Sequence, residues 1–133
     1  MSVLLSYHGN DESNAALKAA IAMTELMKTS LVILVATPMN ADDERTEMDA
    51  QERLWAFLES APVPFHVRNA PVDRTIAESV LDTARQIDAE LIVLGLRIGG
   101  SRVTSIGQNA SKILLDAGCP VLTTTEFVLE ADV

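Results

Sequence analysis

The residues with most chemistry to offer lie in the last third of the chain. Gly95, Gly99, Gly100 and Gly107 punctuate a polar stretch carrying Arg97, Ser105, Gln108 and Asn109. Glycine lets backbone approach a ligand closely, and a helix that starts directly after such a loop presents its first N–H groups to an anion. Gly107, Gln108 and Asn109 stand where those donors would be, and Arg97 adds a guanidinium able to form charge-assisted bonds. The chemistry is that of phosphate binding. The same stretch also contains Ser105-x-x-Gln108, a capping-box pattern that would satisfy these donors internally, with the glycines serving only a tight loop.

Other reactive side chains form no constellation. His8 and His66 are far apart, and neither has a cysteine or second histidine at ligand spacing, so no structural metal is expected. Cys119, between Gly118 and Pro120, has no base in its pattern and reads as a packed thiol. The chain carries no Gly-x-Ser-x-Gly elbow, Walker loop or Gly-x-Gly-x-x-Gly. A phospho-receiver domain needs acidic residues at the ends of its first and third strands and a lysine after the fifth. Those places hold Tyr7-His8, Arg68-Asn69 and Thr123-Thr124-Thr125. The expectation is a binding protein and not an enzyme.

The elements that would position the loop alternate regularly. Residues 2–7 form an apolar strand, followed by a turn at His8-Gly9-Asn10-Asp11 and a helix to about Lys28 with Ala16, Ala20, Met23 and Met27 on one stripe and Ala19 and Leu26 beside it. Residues 30–36 are apolar on both faces, as in a central parallel strand. The acidic stretch 40–52 leads into a second helix that packs through Leu54, Trp55 and Leu58. Residues 62–68 contain two prolines and read as an edge strand. Pro71 fits the first turn of a third helix over residues 72–87, with Ile76, Val80, Ala84 and Ile87 inward. Residues 91–94 form a buried strand ending at Gly95. A last helix opening at Gly107 carries Ala110, Ile113, Leu114 and Ala117, and residues 119–125 form a final strand. The β-α-β-α-β-α-β-α-β order predicts an α/β doubly wound parallel sheet with helices on both faces.

Composition bounds the partners. A chain of 133 residues fits one domain, over residues 1–126, with a tail at 127–133. The net charge of −9 argues against nucleic acid and anionic membranes, both of which call for basic patches. No apolar run reaches membrane-spanning length and no signal-peptide pattern opens the chain, so a cytoplasmic location is expected. The single cysteine agrees with a reducing compartment. The branched alternation of residues 121–125 on a sheet edge, followed by Phe127, Val128 and Leu129, predicts a homodimer through the last strand.

The run Leu91-Ile-Val-Leu-Gly-Leu-Arg97, with Asn109-Ala-Ser-Lys-Ile-Leu-Leu-Asp-Ala-Gly-Cys-Pro-Val-Leu122 after the loop, resembles the universal stress protein family. That resemblance implies a five-stranded sheet of order 3-2-1-4-5, the adenine nucleotide alpha hydrolase-like fold, and a stress-response module acting by binding. It implies an ATP or other adenine-nucleotide site at the carboxyl ends of strands one and four, built from Tyr7, His8, Gly9, Val35, Ala36, Leu94, Gly95, Arg97, Gly99, Gly107, Gln108 and Asn109. The family fingerprint is Gly-x2-Gly-x9-Gly-Ser/Thr. Here Ile98 takes the second glycine's place, Gly107 comes one residue early, and Gln108 replaces the hydroxyl. The family's Asp at the end of the first strand falls on His8. A weakened site follows from these departures, the alternative being a dimeric interaction module that has lost the nucleotide.

Overall fold

The structure, a computed structural model, describes residues 1–9, 11–35, 44–96 and 108–125. The elements are β1 (Ser2–Tyr7), α1 (Asp11–Met27), β2 (Ser30–Val35), α2 (Glu44–Glu59), β3 (Phe65–Asn69), α3 (Ile76–Ile87), β4 (Ala89–Leu96), α4 (Gln108–Asp116) and β5 (Val121–Thr125). The strands form one sheet in the order β3-β2-β1-β4-β5, and every neighbouring pair is parallel. Strand order and the alternation of strand and helix are as the sequence predicts.

All six residues of β1 are buried, because β2 and β4 flank it and helices cover both faces. Alternate side chains then divide between two cores. Val3, Leu5 and Tyr7 join Leu31, Ile33 and Val93 beneath α1 and α2, where Ala16, Leu17, Ala20, Leu54 and Leu58 close the layer. Leu4 joins Val32, Leu34, Ile92 and Leu94 on the other face, under Ala77 and Val80 of α3 and Ile113 of α4. Apolar residues of this kind contribute roughly 1.5–3 kcal/mol each on burial, so these two layers dominate folding. Among the described residues no helix is long and apolar enough to cross a membrane.

Several boundaries differ from the sequence reading. Helix α3 does not start near Pro71. It starts after Thr75, whose hydroxyl accepts from the Glu78 N–H at 3.1 Å while Glu78 Oε1 accepts from the Thr75 N–H at 3.3 Å. This reciprocal capping box satisfies two donors at once, which proline cannot do. Strand β4 does not stop at Gly95, because Gly95 pairs with Thr124 and Leu96 with Thr125. The fully buried stripe of α1 includes Leu17, whereas Leu26 is 74% exposed. Trp55 packs edge-on against Phe65, with centroids 5.9 Å apart, yet remains 48% exposed, so it is a rim residue and not core filler.

Helix α1 ends without glycine. The Thr29 N–H bonds Thr24 C=O and the Lys28 N–H bonds Glu25 C=O, both at 3.2 Å, and Lys28 sits at φ 56° in the left-handed region. That pair of bonds is the Schellman arrangement, in which a side chain at the left-handed position costs roughly 1–2 kcal/mol relative to glycine. Lys28→Gly should therefore raise stability by about 1 kcal/mol, allowing for the more flexible unfolded chain. Urea denaturation of the two proteins at equal concentration checks the sign; an unchanged or lower midpoint would contradict it.

Candidate functional site

The carboxyl ends of β1 and β4 diverge. Ser6 still lies between Leu34 of β2 and Leu94 of β4, and Tyr7 is paired with Val35. Beyond Leu94, β4 continues to pair with β5 through Gly95 and Leu96. The connections reverse direction here, and in parallel α/β sheets such a point opens a crevice able to accept a ligand.

The chain leaves β1 through a turn that needs its glycine, since Gly9 has φ 76°. Ser13 closes the turn: its fully buried hydroxyl accepts the His8 N–H at 2.9 Å. The His8 imidazole is oriented by Ser6, with Nε2 3.1 Å from the Ser6 hydroxyl. On the opposite face of the sheet the Tyr7 hydroxyl donates to Asn14 Oδ1 at 3.1 Å. Tyr7 therefore lines the crevice with backbone, its ring belonging to the core beneath α1 and α2. Half-buried His8 is the side chain that β1 brings to the rim.

The other predicted residues divide three ways. Leu94 is buried under α3 and α4, and Gly95 stands in β4 beside Thr124. The Val35 carbonyl accepts the Ala70 N–H at 2.8 Å, extending the β2–β3 ladder and leaving one lone pair for another donor. Gln108 is exposed as the first residue of α4. Asn109 turns elsewhere, its Oδ1 accepting the Ala77 N–H at 3.1 Å in the first turn of α3. Ala36, Arg97, Gly99 and Gly107 lie outside the described residues, as does Ser105 of the alternative capping pattern.

Ser6, Ser13 and Asn14 take part in this geometry although the sequence reading passed over them. A serine in a strand apolar on both faces signals Ser6, because a buried hydroxyl requires a partner. The Asn109–Ala77 bond spans 32 positions and had no local signal.

The cations of the turn before α3, of α3 and of α4 face carboxylates. Arg74 lies 2.6 Å from Asp82 and 3.5 Å from Glu78, Arg85 lies 3.1 Å from Asp82, and Lys112 lies 3.0 Å from Asp116. Among the described residues no cluster of His, Cys, Asp and Glu is placed to hold a metal. A pocket of about 160 Å³ lies at the opposite end of the sheet, where Asp88, Asp116 and Cys119 meet Leu81 and Ala84. Burial raises the Cys119 thiol pKa there, which suits a packed thiol better than a nucleophile.

Comparison with known proteins matches residues 1–124 to the model of the universal stress protein family. The chain belongs to this family. A universal stress protein of Mycolicibacterium smegmatis is 28% identical over 126 residues, covering 90% of this chain and 94% of the relative. One from Mycobacterium tuberculosis is 23% identical over 143 residues, covering 93% of this chain and 48% of the relative, so the chain spans about half that protein's length. Among solved structures, a universal stress protein from Archaeoglobus fulgidus superposes with TM-score 0.71 at 18% identity, covering 92% of both chains. The Archaeoglobus fulgidus protein in complex with dAMP gives 0.68 at 16% identity, covering 92% of this chain and 96% of that one. A universal stress protein in complex with cAMP gives 0.65 at 17%, covering 93% and 96%. At these identities the structures establish the universal stress protein fold.

Tyr7 reports directly on the packing of the crevice floor. Burial raises its pKa above the ordinary value, and the Arg53 guanidinium partly offsets this. A raised folded-state pKa means that stability is complete below the unfolded value, about 10, and is lost as pH rises through the folded one. Because Tyr7 is the single tyrosine, absorbance titration reads it alone. The native midpoint should exceed that of the urea-unfolded chain, and Tyr7→Phe should weaken the alkaline loss of stability. Coincident midpoints would show that the ring is open to water.

Proposed function

We propose that this universal stress protein is a non-catalytic regulatory module whose crevice between β1 and β4 takes an adenine nucleotide weakly. The observation that carries the reading is the engagement of the crevice's own polar groups. His8 is bonded to Ser6, the Val35 carbonyl to Ala70, and the Asn109 amide to Ala77. The dAMP and cAMP complexes of structurally similar universal stress proteins supply the ligand class. Weakness follows from the altered fingerprint: Ile98 stands where a glycine would admit the phosphates, Gln108 replaces a hydroxyl, and His8 replaces a carboxylate. Each lost charged hydrogen bond is worth roughly 1.5–3 kcal/mol, so two such losses weaken binding on the order of a thousandfold.

Calorimetric titration with AMP and ATP, with and without magnesium, tests this reading. The expected dissociation constant lies well above about 1 μM for both, and Arg97→Ala should weaken whatever binding is measured. A value at or below about 1 μM would overturn the weakened site. Saturable binding unaffected by both Arg97→Ala and Gly107→Val would place the ligand outside the crevice. Complete absence of binding favours the second reading, an interaction module without nucleotide.

Assembly belongs to the same proposal. β5 occupies one end of the sheet with Val121 and Leu122 half-buried and Thr123 exposed, and Leu115 of α4 is 83% exposed. A branched, apolar-flanked edge of this kind pairs readily with its own copy. Light scattering over a dilution series should give a dimer at tens of micromolar that Leu122→Lys dissociates. A monomer throughout that range would refute the arrangement.

A further inference from the structure

The opposite edge of the sheet carries a second surface. In a parallel ladder, alternate residues direct their backbone groups to the same neighbour. The Pro64 carbonyl accepts the Leu31 N–H at 2.9 Å and the Ala70 N–H reaches the Val35 carbonyl at 2.8 Å, so residues 64, 66, 68 and 70 face β2. The N–H and C=O groups of Phe65, Val67 and Asn69 therefore face away from the sheet. The flanking side chains differ in chemistry. Phe65 and Val67 lie on the α2 side, where Trp55 leaves about half its surface uncovered beside Phe65. Exposed His66 and Arg68 lie on the α3 side, and Arg68 reaches Gln86 at 3.2 Å. An incoming strand suited to this edge would alternate apolar side chains with acidic ones.

The chain itself contains such a sequence. Along Glu126-Phe127-Val128-Leu129-Glu130-Ala131-Asp132-Val133, the odd positions are all apolar and three of the four even positions are acidic. These residues lie outside the described ones. We propose that the β3 edge binds segment 126–133 of a second copy as an added strand, its odd side chains on Phe65, Val67 and Trp55 and its acidic ones beside Arg68 and His66.

The donor must be another copy. From β5, reaching the outer side of β3 means crossing five strand spacings of about 4.8 Å, or about 24 Å. Eight extended residues span at most about 29 Å, so the segment would be consumed in crossing and could not also pair along its own β3. Backbone bonds would supply affinity and the alternating side chains would set face and register. Because β3 and β5 are opposite edges, this contact is compatible with a dimer through β5 and does not depend on the nucleotide site.

A synthetic peptide of residues 125–133, titrated into the full-length isotope-labelled protein, tests the proposal. The expected result is saturable amide shifts centred on Phe65, Val67 and Asn69, with a parallel change in fluorescence of the single tryptophan, Trp55. A peptide carrying Glu130→Lys and Asp132→Lys should bind the protein about tenfold more weakly. The Arg68→Glu protein, whose substitution is on the surface, should reverse that preference. No saturation up to about 1 mM, shifts confined to β5, or equal binding of both peptides to both proteins would each overturn it.

Discussion

Every residue of β1 is buried, and the rest of the molecule follows from that constraint. A strand enclosed on both faces and both edges has no water to satisfy its polar atoms. Its backbone must pair with β2 and β4, which fixes it at the centre of the sheet. Its serines face the same demand. Ser2 finds Ser30 on the neighbouring strand at 3.3 Å, and Ser6 finds His8 two residues along its own chain. Enclosure of the central strand thus reaches the rim of the crevice, because the imidazole there also satisfies a buried hydroxyl.

The crevice illustrates a competition that operates in any ligand site built from loop ends. Donors and acceptors that would serve a ligand must be satisfied when it is absent, and the protein can do this with water or with its own atoms. Here the Asn109 amide oxygen serves the first turn of α3, and the Val35 carbonyl lengthens the β2–β3 ladder by one bond. Such internal partners steady the fold and lower the gain from a ligand, which would have to displace or share them. The weak nucleotide binding proposed above would be the thermodynamic counterpart of polar groups already satisfied within the fold.

The sequence carried the architecture because the signals for it are local and repeated. Strands apolar on both faces, separated by helical stripes, leave little choice but a parallel sheet, and the family resemblance supplied its order. The boundaries that went astray are those set by contacts distant in sequence or by competing local motifs. Pro71 and Thr75 both mark helix starts, and reciprocal capping with Glu78 prevailed because it satisfies two donors. Gly95 looked like a strand end, but the partner that keeps it extended is Thr124. Leu26 and Trp55 share helices with buried residues, yet fall on sectors that the sheet does not reach. At the site, Gly9 and its turn could be read directly, whereas Asn109 could not be assigned its partner without the fold.

The bond between Asn109 and Ala77 has a bearing on how such a protein can diversify. It ties the start of α4 to the start of α3, while pairing with β5 holds the end of β4. The connection over residues 97–107 therefore begins and ends at anchored points. Closing a flexible connection of twice the length costs only about 0.6 kcal/mol more. Insertions, deletions and wholesale replacement in this stretch thus cost the scaffold little. The fold can exchange one connection for another by recombination without re-solving its own folding problem.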